Sequence, residues 1–112
     1  MIIFHNPRCQ KSREALEILN KHGKDVTIRE YLKEPPSPKE LVELLKKLGM
    51  KPEELLRKTE PLFKEKYKDK SYSAKQWIKI MSENPILIER PIIVSENSAI
   101  VARPPIKVID IL

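Results

Sequence analysis

The chain has 112 residues, 40% of them hydrophobic and 34% charged, with a formal net charge of +6. That balance is the composition of a soluble domain large enough to bury one core, and it excludes a disordered segment. No apolar run approaches the roughly 20 residues needed to cross a bilayer, and a single cysteine excludes an internal disulfide.

In chain order, "IIFH" (residues 2–5) is a short apolar, β-branched run ended by Asn6-Pro7, and it reads as a strand. From about Cys9 the period changes: Ala15, Leu16, Ile18 and Leu19 form a helical apolar stripe, with Gly23 as the expected C-cap. "VTIREYL" (26–32) alternates and reads as a second strand, parallel to the first because one helix separates them. "KEPPSP" breaks the chain. Ser37 before Pro38 predicts an N-cap with proline at the first helical position. Leu41, Val42, Leu44, Leu45 and Leu48 then form the inner face of a helix ended by Gly49. Pro52 opens a further short helix, and residues 74–82 predict another that buries Trp77, Ile78 and Met81. Two apolar runs around "SENS" (95–98) predict a hairpin, and "PPIKVIDIL" a terminal helix with Val108, Ile109 and Leu112 inward.

The order is therefore β-α-β, a helical block, β-β, α. A parallel pair joined to an antiparallel pair makes one mixed four-stranded sheet flanked by helices. This is the α/β, thioredoxin-like arrangement, with a helical insertion of about residues 37–84 between the second and third strands. No repeat or linker interrupts the chain, so residues 1–112 are expected to form a single domain.

The positive charge invites a nucleic-acid reading. Most lysines, however, sit at helical spacing beside glutamates, as on a solvated amphipathic surface. Only "FKEKYKDKSYSAK" (63–75) is locally basic. It carries no nucleic-acid recognition motif and reads as a connection, so no nucleic-acid partner and no membrane are expected. The N-terminus has no basic segment followed by a long apolar one, and the lone cysteine shows no sign of an oxidising compartment, so the expected localisation is cytoplasmic.

The chemistry gathers around Cys9. It stands at the turn into the first helix, where free N–H groups and the helix dipole favour a thiolate, with Arg8, Lys11 and Arg13 adding positive charge. Ser12 occupies the second-cysteine position of a Cys-x-x-Cys motif; its hydroxyl can donate to a thiolate but cannot close a disulfide. The plain alternative is a buried, inert cysteine. Arg57, near the end of "PEELLRK", Arg90 in "ERPIIV" and Arg103 in "VARPP" could converge on the first loop as an oxyanion pocket, or form three surface ion pairs. His22, near a helix end, is expected to be exposed and idle. No Cys/His cluster has metal-ligand spacing, so no metal is implied.

"HNPRCQKSRE", "LRK", "NPILIERPIIV" and "ARPP", in that order, resemble the glutaredoxin-coupled arsenate reductase family of thioredoxin-fold proteins. The resemblance runs from residue 2 to residue 112 and is nearest to the family's arsenate-reductase-like branch with Cys-x-Lys-Ser-Arg; resistance enzymes carry Cys-Gly-Thr-Ser-Arg there. The resemblance implies that Cys9 is the nucleophile and that Arg57, Arg90 and Arg103 bind the oxyanion. It implies Pro91 as the cis-proline facing the cysteine, His5 in tuning the thiol, Ser12 as a thiolate partner and Asn6 in shaping the loop. The implied reaction is reduction of arsenate to arsenite through a cysteine-bound adduct, with no bound cofactor. Because the chain holds one thiol, the second must come from outside, and the resemblance implies glutathione as that co-substrate, with glutaredoxin resolving the mixed disulfide. The chain is expected to act as a monomer. Two other readings share the fold: an Spx-like transcriptional regulator binding RNA polymerase, against which the missing second cysteine counts, and a general glutathione-dependent thiol oxidoreductase.

Overall fold

β-Branched residues at 2–3, 27–28, 92–94 and 100–101 supply four short strands. In the computed structural model, which describes residues 1–112, these are β1 (Ile2–His5), β2 (Thr27–Glu30), β3 (Ile92–Val94) and β4 (Ala99–Val101). They form one sheet in the order β2-β1-β3-β4. β1 and β2 run parallel, joined through α1 (Gln10–Lys21), while the β1–β3 and β3–β4 pairs are antiparallel. The mixed sheet is the expected one. The second strand is shorter than its apolar pattern: it stops at Glu30, where Lys33 and Glu34 N–H groups both bond the Glu30 carbonyl and turn the chain.

The sheet belongs to a unit made of Met1–Glu34 and Arg90–Leu112. Its core is Ile3, Ala15, Leu19, Ile93, Ala102 and Val108, with Leu16 and Ile18 packed against them. Each fully buried aliphatic side chain there contributes about 1.5–3 kcal/mol. α1 ends at Lys21 with His22 as its C-cap, and Gly23 follows with φ +68°, the left-handed conformation that glycine adopts without a Cβ clash. The cap is thus one residue earlier than expected.

The terminal helix departs from its expected face. Residues Pro105–Ile111 form a 3-10 helix, not an α-helix. With three residues per turn, Pro105, Val108 and Ile111 share one side. Pro105 and Val108 are buried and Ile111 packs on the core, whereas Ile109 and Leu112 are exposed.

The second unit, Pro35–Glu89, holds α2 (Pro38–Leu48), a 3-10 turn Pro52–Leu55, α3 (Pro61–Lys66), α4 (Ala74–Glu83) and a 3-10 turn Pro85–Leu87. Ser37 caps α2 reciprocally: its Oγ accepts from Glu40 N–H at 3.1 Å and its N–H donates to Glu40 Oε1. Ser73 and Gln76 repeat the arrangement at α4. Such caps are each worth roughly 1 kcal/mol. α2 ends at Gly49 with φ +67°. Leu41, Leu44, Leu45, Trp77 and Met81 are buried, but Val42 is not and Ile78 is only partly so.

The basic stretch 63–75 is not a plain connection. Its first part belongs to α3, and Tyr67 and Tyr72 stand edge-on to Trp77, with centroids at 6.0 and 4.9 Å. The tyrosines are thus committed to an aromatic cluster that also stacks Phe63 on Trp77.

Candidate active site

The alternation of β1 puts Ile3 and His5 on one side of the sheet, the side on which Ile3 joins the core with Ala15 and Leu19 of α1. His5, at the strand end, therefore faces the first turn of α1. Its Nδ1 lies 2.6 Å from Ser12 Oγ. That oxygen also accepts from the Asn6 N–H at 3.1 Å. Asn6 fixes the rest of the loop: its carbonyl accepts from Cys9 N–H at 3.0 Å and its Oδ1 from Arg8 N–H at 3.0 Å. Arg13 braces the same turn through Nη1 to the Pro7 carbonyl at 2.9 Å.

This loop delivers Cys9, half-buried, as the N-cap residue of α1. The sulfur makes no capping hydrogen bond of full geometry. It nonetheless lies in the field of the first-turn N–H groups. Burial is the largest influence on the thiol and pushes it up. The Ser12 N–H, the Arg90 charge, the Lys11 N–H and a hydrogen bond from the Arg90 side chain together outweigh burial and hold Cys9 below the ordinary thiol value. An alkylation-rate profile of the wild-type chain against pH should accordingly have its midpoint below about 8.5, the free-thiol value. A midpoint at or above it would mean that burial wins.

The sheet register explains how a residue so distant in sequence reaches the cysteine. β3 runs antiparallel to β1 with Ile92 opposite Phe4, so continuing by two residues brings Arg90 level with Asn6, in the Cys9 loop. β4 pairs Val101 with Ile92, and the same extension brings Arg103 level with Arg90. Arg103 Nη1 donates to the Arg90 carbonyl at 3.1 Å. Both arginines are partly buried. The Arg90–Pro91 peptide is cis, with Pro91 buried, and Arg103–Pro104 is a second cis peptide that the sequence did not single out.

The electrostatics differ from the sequence expectation in two respects. The cation acting on the sulfur is Arg90; Lys11 contributes through its backbone N–H, and Arg13 acts on His5 rather than on Cys9. Ser12, with no exposed surface, has its hydroxyl engaged by His5 and Asn6, and its influence on the thiol runs through its N–H. Arg57 lies in the other unit. Its N–H donates to the Leu87 carbonyl at 2.7 Å, and its guanidinium meets Glu60 at 3.2 Å. His22 is exposed, with Nδ1 2.9 Å from the Ile18 carbonyl.

His5 is held below the ordinary histidine value. Burial is the dominant cause, Glu30 opposes it and Arg13 reinforces it. A neutral imidazole leaves Nδ1 free to accept the Ser12 hydroxyl proton. The depressed value fixes the sign of a pH effect. The unfolded chain takes up the His5 proton near pH 6.5 while the folded chain still resists it, so this contribution to stability is complete above about 6.5 and is lost as pH falls through the folded value. Urea midpoints measured from pH 8 downward should decline across that window, and His5→Gln should flatten this part of the decline; an equal slope in the variant would remove His5 as the cause.

A mixed four-stranded sheet with a half-buried, anion-favouring thiol at the start of its first helix defines a thioredoxin-like protein of the one-cysteine kind. Comparison with known proteins is specific: the ArsC family description matches residues 4–111, and the chain belongs to that family. It is 44% identical over 112 residues to the uncharacterized protein YfgD of Escherichia coli (strain K12), covering 98% of this chain and 94% of that one. It is 40% identical over 111 residues to the arsenate reductase of Acidiphilium multivorum, covering 98% and 79%. The solved arsenate reductase from Vibrio cholerae superposes with a TM-score of 0.94 at 40% identity, over 99% of this chain and 96% of that one. No helix is long and apolar enough to cross a membrane.

Proposed function

We propose that the chain reduces arsenate to arsenite, with Cys9 as nucleophile and glutathione and glutaredoxin as the external thiols. The observation that carries the reading is the approach of the Arg90 guanidinium to a thiol already favoured as its anion, in a chain of the ArsC family. The Cys9 thiolate attacks the arsenic of arsenate; a sulfur–arsenic bond forms and one oxygen leaves as water. Arg90 and Arg103 offset the charge on the remaining oxygens, as preorganised donors do in other oxyanion chemistry. Arg57 enters as a third oxyanion ligand on its sequence context alone. His5 and Ser12 hold the loop that presents the sulfur.

Conversion of As(V) to As(III) takes two electrons. They come from the Cys9 sulfur and one glutathione sulfur, which end joined as a mixed disulfide while arsenite departs. A glutaredoxin thiolate then attacks the glutathione sulfur and releases Cys9 as its thiolate. The reaction is assigned to the cytoplasm and to the monomer. Intact-mass analysis after incubation with arsenate and glutathione, without glutaredoxin, tests the scheme. A single glutathione adduct that maps to Cys9 and requires arsenate supports it. An adduct formed equally without arsenate supports a general thiol oxidoreductase instead.

A further inference from the structure

The helical unit carries an apolar groove that its own core does not fill. α2 turns Leu41, Leu44 and Leu45 inward, and α4 turns Trp77 and Met81 inward; all five are buried. On the outer side of this pair, Pro38 and Val42 of α2 and Ile78 of α4 line a groove walled by Lys39, Lys75 and Lys79. Val42, expected on the inner face with Leu41, Leu44, Leu45 and Leu48, is 39% exposed here. Through the same Val42 and Ile78 the groove continues into a hollow floored by Leu45, Met50 and Pro52, with Lys46 and Lys51 at its edge. The acid in that lining, Glu54, is already engaged at 2.9 Å with the Lys51 N–H.

Lys75 and Lys79 stand one helical turn apart and so share a wall. Lys39, Lys75 and Lys79 are in no ion pair. The groove is thus an apolar floor between cationic walls, and none of its three wall lysines is paired with an acid of the chain. We propose that it docks an acidic amphipathic helix of a protein partner, with aliphatic side chains at i, i+3 and i+4 on the Val42–Ile78 floor and flanking Asp or Glu on the lysines. α2, at 11 residues, is about 16 Å long, which sets the docked segment at roughly three turns. A second copy of this chain is the poorer occupant, because a symmetric contact would set lysine against lysine. A contact this small belongs to the weak, transient class of interface. The proposal rests on the helical unit and does not depend on the chemistry at Cys9.

The test uses the full chain with methyl-labelled isoleucine and valine. The probe is a synthetic peptide of about 12 residues with a leucine stripe flanked by glutamates, and the control has lysine at every glutamate. The acidic peptide should shift the Val42 and Ile78 methyl resonances while leaving Ile93 in place, and the lysine peptide should not. Combining Lys39→Glu, Lys75→Glu and Lys79→Glu should weaken the acidic peptide at least tenfold. Val42→Ser, which keeps every lysine, should also weaken it, because the floor contributes as well as the charge. All four positions are exposed, and an unchanged resonance of Ile88, buried in the same helical unit, verifies the fold in each variant. Equal response to both peptides, shifts confined to other methyls, or unchanged affinity in both variants would overturn the proposal. So would concentration-dependent shifts of Val42 and Ile78 without peptide, or shifts on anionic vesicles where the peptide gives none.

Discussion

Cys9→Ser is expected to abolish arsenate-dependent thiol oxidation and leave the chain folded. A serine hydroxyl is not ionised at neutral pH and cannot supply the sulfur that, together with a glutathione sulfur, gives up the two electrons of the proposed reaction. Removal of a catalytic nucleophile elsewhere costs on the order of 10⁶ in kcat, so the variant should fall to background. Stability should not fall with it. Cys9 is the N-cap of α1, with extended backbone (φ −93°, ψ 120°) and no capping bond of its own. Serine is among the preferred N-cap residues, and its oxygen can accept a first-turn N–H, a gain of up to about 1 kcal/mol. Thermal denaturation beside the activity assay separates the two effects. A variant that unfolds would return Cys9 to the role of an ordinary core residue.

Arg90→Ala is expected to produce the second largest loss, and to produce it twice over. The guanidinium supplies both a charge and a hydrogen bond to the sulfur, so its removal should move the alkylation midpoint of Cys9 upward. Under the proposed mechanism it also removes a donor from the developing oxyanion, worth roughly 10²–10³ in kcat where single donors have been deleted. The Arg103 brace should survive the change, because it bonds the Arg90 backbone carbonyl and not its side chain. Arg103→Ala should therefore lower turnover with a smaller effect on the alkylation midpoint. An unchanged midpoint in Arg90→Ala would place the origin of the depressed thiol wholly in the α1 N–H groups.

The sheet was legible because β-branched runs bounded by Pro, Gly and Ser are strong local signals, and one helix between two strands forces them parallel. α2 was legible from Ser37, whose side chain bonds the residue three positions on, and α4 from the spacing of Trp77, Ile78 and Met81; the Ser73 cap of α4 emerged only in the structure. α3 was not: it has six residues, and Phe63 is its one buried side chain, so it shows no apolar period. The 3-10 geometry of Pro105–Ile111 was also hidden, since Ile106, Val108, Ile109 and Leu112 suit an α-helical stripe equally well, and only packing on the core selects the three-fold face.

Within the site, the thiol could be read from local sequence because the helix start that favours its anion begins at the next residue. The charge partner could not. Arg8, Lys11 and Arg13 are near in sequence, yet Arg90 acts on the sulfur through a strand register that no local pattern encodes. Ser12 shows the converse. Its position three residues after Cys9 was informative, but burial turned its hydroxyl toward His5 and left its N–H to face the thiol.

The most direct measurement is NADPH oxidation on adding arsenate to the chain with glutathione, glutaredoxin and glutathione reductase present. Oxidation that requires arsenate, the chain and glutaredoxin together is the predicted result. An NADPH trace indifferent to arsenate, from a chain whose Cys9 alkylates with a depressed midpoint, would contradict it: the thiolate would be real and arsenate would not be its substrate.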